Sequence, residues 1–430
     1  TPILPQPHRR RSGRTRVHFK ITVPRSMACS AAYLLVLDTD GRTVCNDMFW
    51  CGMNGDDHEW WECHFAPQNA GLCFYTRAAH LRGHFVLKRT SAARPCRRQR
   101  GLAAHGLFGG LQDAGVARRR RSVPDFPDRF YCSGQEKHDI PYGRTMHADW
   151  SEQPEWRPNA EGKITNTDFF GGDLKGIEQK LGYLKSLGVT CIYLNPIFES
   201  HSNHRYDTAN YEKIDPLLGT EEDFRSLCAA AKARGIRILL DGVFSHTGSD
   251  SIYFNREGRY GDGGAYRSQQ SPYYPWYSFR SWPNDYECWW NFTTLPNVRE
   301  GNPDYDAYIN GENGIIHRWL AAGASGWRLD VADELPDCFL DSLNRAVKSF
   351  DEDAVVLGEV WEDASNKTAY GVRRRYLMGG QLDSVMNYPF RDAILGFLRG
   401  EHASLMMDRI ETIAENYPPQ VLDILMNHIG

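Results

Sequence analysis

From residue 168 onward, short apolar β-rich runs alternate with amphipathic helical stretches, and no other feature of the chain restricts its fold as much. Leu174, Ile177, Leu181 and Leu184 recur at helical spacing within residues 174–187, and Gly188 stops that helix. Residues 189–194 read as a buried strand. The unit repeats as a helix at 221–234 and a strand at 236–240, then a helix near 304–322 and a strand at 326–329. A helix at 336–350 and strands at 354–357 and 382–386 complete the series. Repeated β-α units with apolar strands predict a parallel sheet covered by helices. Such a sheet either stays open and doubly wound or closes into an eight-stranded barrel. No Gly-x-Gly-x-x-Gly follows any of these strands, so a dinucleotide fold has no support.

Composition narrows the function classes. A chain of 430 residues exceeds what one core organises, so two or more domains are expected. Hydrophobic residues at 41% and charged residues at 24% exclude a disordered or collagen-like chain. No apolar run approaches the roughly 18 residues of a membrane span, so no membrane partner is expected. The net charge of -4 gives no global basic field, which argues against a nucleic-acid partner. Eleven cysteines, an odd number without a Cys-x-x-Cys pair, predict free thiols in a reducing compartment. Arginines in residues 1–16 are followed by no apolar core, so no signal peptide is expected and a cytoplasmic location is.

The segment before residue 77 has another texture. Residues 17–23, 32–37 and 61–65 look like short strands between turns, which predicts a small N-terminal β-sandwich over residues 1–76. Residues 77–122 then hold eleven arginines, one lysine, one aspartate and no glutamate, ending abruptly before Pro127-Asp-Arg-Phe. A basic arm or a solvated charge run explains neither the missing lysines nor the abrupt end. A reading-frame error in a GC-rich gene explains both. Codons cgg cgg cgt tcg gta cca gat ttt for residues 119–126, read one base later, give Gly-Gly-Val-Arg-Tyr-Gln-Ile-Phe, a plausible buried strand. Residues 77–126 are therefore expected to be an anomalous linker without sheet pairing, and residues 127–430 the β/α domain.

Within that domain, residues 247–292 carry fourteen aromatic side chains in forty-six positions with no helical or alternating period. They read as a large structured loop, an insertion over about residues 247–302. It is either a surface that stacks flat apolar faces, as sugar rings have, or a small satellite core.

Catalytic groups of parallel β/α domains sit at the carboxyl ends of strands. Here those ends read Asp241-Gly-Val-Phe-Ser-His246, Gly326-Trp-Arg-Leu-Asp330 and Leu357-Gly-Glu359-Val-Trp361. Arg328 and Asp330 are two apart in a strand, so both face one side. The guanidinium depresses the Asp330 carboxyl and keeps it ionised, as a nucleophile should be. Glu359 lies one helix and one strand further on and can approach Asp330 across neighbouring strand ends. Two carboxylates in different environments among aromatics suit glycoside cleavage, with one ionised nucleophile and one protonated acid.

Four ordered segments resemble the motifs of the alpha-amylase family, glycoside hydrolase family 13. They are Asn203-His-Arg-Tyr-Asp-Thr-Ala-Asn-Tyr211, Asp241-Gly-Val-Phe-Ser-His246, Gly326-Trp-Arg-Leu-Asp-Val-Ala-Asp-Glu334 and Gly358-Glu-Val-Trp361. Their form is similar to the neopullulanase, cyclomaltodextrinase and amylopullulanase-like members, over about residues 127–430. The resemblance implies a (β/α)8 TIM barrel, with an N-terminal β-sandwich and a domain inserted after the third strand. It implies that Asp330 is the nucleophile and Glu359 the general acid and then base. Arg328 would orient Asp330, Tyr206 would stack on the sugar, and Asp207 would hold its loop. His246 would bind a sugar hydroxyl and Trp361 would line the leaving-group side. No cofactor is required; members that bind calcium near the third strand use an asparagine before the histidine, where this chain has Ser245.

The family's third carboxylate lies in a His-Asp pair on the seventh strand. Leu425-Met-Asn-His-Ile-Gly430 looks like the start of that strand, so the barrel is expected to be incomplete at its C-terminus and residues 1–430 alone to hydrolyse weakly. The implied activity is retaining hydrolysis of α-glucans such as maltodextrin, cyclodextrin or pullulan. The alternatives are an impaired α-glucan-binding fragment or an α-glucan transglycosylase. The retaining mechanism requires the two carboxyl groups to stand roughly 5–5.5 Å apart.

Overall fold

A computed structural model of the chain describes residues 16–37, 42–66, 71–81, 84–88, 102–106, 122–137 and 143–428. The N-terminal part is an antiparallel sheet in the order β1 (Val17–Pro24), β4 (His58–Phe65), β3 (Thr43–Asn54), β2 (Cys29–Leu37), β5 (Gly71–Leu81), β6 (His84–Lys88), with β7 (Leu102–Gly106) also on β5. The first half of β3 pairs with β2 and the second half with β4, the register shifting between Trp50 and Gly52. Phe19, Leu34, Val36, Met48, Cys63 and Tyr75 fill one small core between its strands. Alternation along β2 explains this: Ala32, Leu34 and Val36 point inward while their neighbours face out.

The expected linker over residues 77–126 without sheet pairing is corrected, at its start and at Ser122–Asp125, which opens the barrel sheet. Strand β5 runs on through Leu81, paired with β2, and both β6 and β7 add to it. Sheet pairing thus extends into the arginine-rich stretch, of which residues 82–83, 89–101 and 107–121 lie outside the described residues.

The second domain is built on six parallel strands in sequential order: Ser122–Asp125, Cys191–Leu194, Arg237–Gly242, Gly326–Leu329, Val355–Gly358 and Ser384–Val385. Met426 bridges Met386 beside the sixth strand, where a seventh would begin. Sequential parallel order with helices outside is the arrangement of a (β/α)8 barrel fold, and it removes the doubly wound alternative. Period-two alternation sorts the side chains. Cys191, Tyr193, Leu239, Val355 and Leu357 pack inside, while Ile192, Leu194, Ile238, Leu240, Trp327 and Val356 pack against the outer helices.

Those helices form for local reasons. The first, Leu174–Ser186, has Asp173 as its N-cap, accepting from the Gly176 amide at 2.6 Å. A reciprocal pair of bonds between Thr220 and Asp223 starts Glu221–Ala233. Asp337–Phe350 buries Phe339, Leu340, Leu343 and Val347 on one face, each contributing about 1.5–3 kcal/mol. The single helix read over 304–322 is two, Pro303–Asn310 and Ile315–Ala321. Gly311 leaves the helix where a Cβ would stand 2.4 Å from the Ala307 carbonyl oxygen. Gly314 is equally closed by the Ile309 carbonyl, so glycine at both positions permits the break.

The first barrel strand departs from the rest. Pro124 sits opposite Tyr193 without an N–H to give the ladder. Asp125 is 2% exposed, and neither carboxyl oxygen has a hydrogen-bond partner. It shares a face with Val123, which packs against the main core, so burial pushes its pKa up to about 7. A folded pKa above the unfolded one means the chain loses stability as pH rises through about 7, and the loss is absent below about 4. The one-base shift puts isoleucine at this position. Asp125→Ile is expected to stabilise the protein by roughly 3–4 kcal/mol at pH 8 and distinctly less at pH 5, measured by urea unfolding at both. An equal gain at the two pH values would mean that the charge at Asp125 has no part in it.

Candidate active site

The hub is Arg328, in the fourth barrel strand and 4% exposed. Its register partner on the third strand is Asp241, so two opposite charges meet across adjacent strands. Arg328 Nη1 donates to Asp241 Oδ1 at 3.0 Å and to Asp330 Oδ1 at 2.8 Å, while Nη2 lies 2.9 Å from Glu359 Oε2. One guanidinium fork therefore gathers three carboxylates from three successive strand ends. Asp330 and Glu359 sit on its neighbouring nitrogens, so both carboxylates share one guanidinium and do not lie on opposite faces of the barrel.

Each carboxylate has its own further partners. Asp241 Oδ2 accepts from the Tyr193 hydroxyl, in a very short contact, and from the Tyr206 hydroxyl at 3.0 Å. The Asn195 amide donates in turn to Tyr206 Oη at 3.1 Å. Glu359 Oε2 accepts from the Val331 amide at 2.9 Å, and Oε1 from Trp361 Nε1 at 3.2 Å and Tyr388 Oη at 2.9 Å. Val331 makes its bond from a left-handed backbone, φ 36°, which a β-branched residue adopts only under strain.

The electrostatics follow from three anions around one cation. Burial raises the Asp330 carboxyl to about 7, with Arg328 opposing and the neighbouring Asp241 and Glu359 assisting. Burial also raises Asp241. Burial acts on Glu359 the same way, but Arg328 and the three other donors override it and hold this carboxyl below its usual range. The sequence alone predicts a depressed Asp330 carboxyl, and in this buried cluster burial raises it instead. The three groups titrate as one cluster, and mutual repulsion keeps a proton among them near neutrality.

The other sequence-derived residues surround this cluster. Asp207 accepts from Ser200 Oγ at 2.5 Å and closely from Ser202 Oγ, holding together the loop that carries Tyr206. His246 is buried, with Nδ1 2.9 Å from Ser245 Oγ and Nε2 3.2 Å from the Tyr206 carbonyl. Burial lowers its pKa to about 4, so the ring is neutral. Ser245, where calcium-binding members have asparagine, directs its hydroxyl at the His246 ring. Among the described residues no cluster of His, Cys, Asp and Glu is placed to hold a metal, and no disulfide joins the ten described cysteines. No helix among them is long and apolar enough to cross a membrane.

The buried half of the aromatic insertion is not a separate satellite core, because its rings join the main core of the barrel. Tyr253, Phe254, Trp276, Tyr277 and Tyr286 are buried and packed on one another. Trp290 and Phe292 are 61% and 55% exposed. Trp289 stacks on the His246 ring at 5.7 Å, and Trp290 meets Trp361 edge to face at 5.6 Å. The insertion thus extends the main core of the barrel and presents Trp290 beside Trp361, which donates to Glu359.

Asp241, Tyr193, Asn195 and Tyr388 did not emerge as site residues from the sequence. Asp241 stood inside a quoted motif, and its signal was the strand-end position opposite Arg328. Tyr193 belongs to a strand read only as buried, Asn195 directly follows it, and Tyr388 follows a strand of two residues.

The alpha-amylase catalytic-domain model matches residues 126–418 of this chain. The chain belongs to the alpha-amylase family. Among curated members of that family, amylopullulanase of Thermoanaerobacterium saccharolyticum is 42% identical over 351 residues, 71% of this chain and 26% of that one. Neopullulanase 2 of Thermoactinomyces vulgaris is 37% identical over 304 residues, 70% of this chain and 48% of that one. The chain thus spans between about a quarter and a half of these relatives. Among solved structures of the family, a cyclomaltodextrinase superposes with TM-score 0.66 at 26% identity, over 97% of this chain and 69% of that one. The type III pullulan hydrolase from Thermococcus kodakarensis gives 0.64 at 26% identity, over 97% and 70%.

Proposed function

We propose that the protein is a retaining glycosidase acting on α-glucans, with Asp330 as nucleophile and Glu359 as acid and base. The observation that carries the reading is the Arg328 fork, which holds the two carboxylates side by side at the rim of an alpha-amylase-family barrel. Relatives named for pullulan and cyclomaltodextrin hydrolysis support the substrate class. Asp330 attacks the anomeric carbon while the glycosidic oxygen leaves with the proton of Glu359. Water, deprotonated by Glu359, then hydrolyses the glucosyl ester, and the α configuration returns. Tyr206 and the exposed tryptophans offer apolar faces to sugar rings, and neutral His246 offers a hydrogen bond without charge.

The test is hydrolysis of maltodextrin, cyclodextrin and pullulan by the full-length protein, with the product anomer followed by NMR. The α-anomer is expected to appear first; the β-anomer, or no release of reducing ends from any of the three, defeats the reading.

Replacing the fork gives a pH prediction. Arg328→Met removes the cation that favours the ionised carboxylates, so their pKa values rise. The acid limb of kcat/KM is expected to move to higher pH, with a loss of about 10²–10³ at the optimum. A limb that stays in place, measured with an aryl maltooligosaccharide, would show that Arg328 does not set the ionisation.

A further inference from the structure

Glu359 has four contacts, and they differ in what they can do when the carboxyl gains a proton. The Arg328 guanidinium and the Val331 amide on Oε2, and the Trp361 indole on Oε1, are N–H donors with no acceptor capacity. An acid proton on Oε2 would point into a guanidinium and an amide hydrogen. On Oε1 it would face one group able to accept it, the Tyr388 hydroxyl, 2.9 Å away.

Resting on the glycosidase reading above, we propose that Tyr388 is the positioning residue of the acid and base: its hydroxyl accepts the Glu359 proton on Oε1 and reverses to donate once that proton has left. The general-acid proton is thereby stored on one chosen oxygen, the one turned away from Arg328. As the glycosidic C–O bond breaks, its electron pair goes to the leaving oxygen, which takes the proton from Oε1. Tyr388 then turns its own hydrogen to the new carboxylate. In the second half, water gives its proton back to Oε1 while its oxygen joins the anomeric carbon. The ester bond breaks, its electron pair returning to the Asp330 carboxylate, and the Tyr388 hydroxyl reverses again.

The surroundings suit that task. Tyr388 opens the helix Tyr388–Leu398, whose N-cap Asn387 accepts from the Phe390 amide at 3.3 Å and donates to Asn427 at 2.8 Å. The phenol ring is held by His428 edge to face at 4.6 Å and by the Arg391 guanidinium at 5.4 Å. Its hydroxyl stays protonated, because burial and the neighbouring Glu359 raise its pKa. The titratable and charged groups facing this pair are Arg328, Asp241 and Asp330 on the strand side, and Arg391 and His428 on the helix side.

Tyr388→Phe keeps the ring and removes the hydroxyl. A charge-assisted bond to the carboxylate is stronger than the bond accepted from the neutral acid, so its loss raises the pKa of the acid. The basic limb of kcat/KM is expected to move up by about half a unit, with roughly tenfold loss on maltooligosaccharides and far less on α-maltosyl fluoride, whose leaving group needs little protonation. Incorporating 3-fluorotyrosine at position 388 preserves shape and makes the hydroxyl a better donor and poorer acceptor, so it should move the limb down. An unmoved limb in both variants, or equal losses on the two substrates, overturns the role of Tyr388. Failure of the unsubstituted protein to turn over α-maltosyl fluoride overturns the glycosidase reading instead.

Discussion

Asp330→Asn is expected to lower kcat on maltooligosaccharides by about 10⁴-fold or more, equivalent to at least ~5 kcal/mol of lost transition-state stabilisation. The amide fills the same space but cannot form the glucosyl ester, so no alternative route through this site remains. The loss should fall on kcat and kcat/KM together, with KM little changed, because the interaction removed exists only as the bond forms. Folding is not at risk. Asp330 is buried, and its carboxyl is raised to about 7, so a neutral replacement removes a charge the protein holds at a disadvantage above that pH. The variant should therefore melt no lower than the unsubstituted protein at pH 8. A fluorinated glucosyl substrate should trap a covalent adduct in the latter, seen as a mass increase on the peptide containing Asp330, and none in the variant. Substantial turnover by Asp330→Asn would remove Asp330 from the nucleophile's role.

The reach of the sequence is uneven, and the unevenness has physical causes. Alternation at period two and helical spacing placed the parallel strands after residue 168 and the helices up to residue 350, because a two-faced element must write its faces into its residues. The helices Tyr388–Leu398 and Ala403–Asn416 fall outside that reading. Arg328 and Asp330 were legible for the same reason, being two apart in one strand. What the sequence could not show is that Arg328 serves three carboxylates. That depends on the register between the third and fourth strands, which pairs Asp241 with Arg328. Register is fixed by the whole barrel and not by either strand. The ionisation pattern escaped for a related reason. Reading Arg328 as the partner of Asp330 alone predicts a depressed carboxyl, whereas sharing it with Asp241 and Glu359 leaves burial and repulsion in command. The break of the 304–322 helix at Gly311 and Gly314 was misread because isolated glycines inside an amphipathic pattern are often tolerated. The sheet pairing of residues 77–81 was missed because composition, dominated by arginine, masked the strand pattern.

Glu359→Gln is expected to separate the two half-reactions more sharply than any other substitution. The glutamine keeps the volume of the side chain but has no proton to give and no basic oxygen to take one. With sugar leaving groups, which depart only when protonated, kcat/KM should fall by about 10³–10⁴. With α-maltosyl fluoride, formation of the ester at Asp330 should proceed within an order of magnitude of the unsubstituted rate, and its hydrolysis should become limiting. The expected signature is a burst of fluoride followed by a slow steady state. The basic limb of the pH profile should disappear as well, since the group whose deprotonation produces it is gone. Geometry adds one constraint on the variant. The carbonyl oxygen of the amide must face Arg328 and the Val331 amide, because an NH2 there would oppose two donors. The NH2 then replaces Oε1, against the Trp361 indole but within reach of Tyr388 as acceptor. The strained Val331 backbone and the Arg328 contact are thereby preserved, so Asp330 keeps its environment and the first step its nucleophile. If instead the fluoride and the sugar substrates lose rate in equal measure, with no burst, Glu359 is not the acid, and the proton must come from another group at the rim.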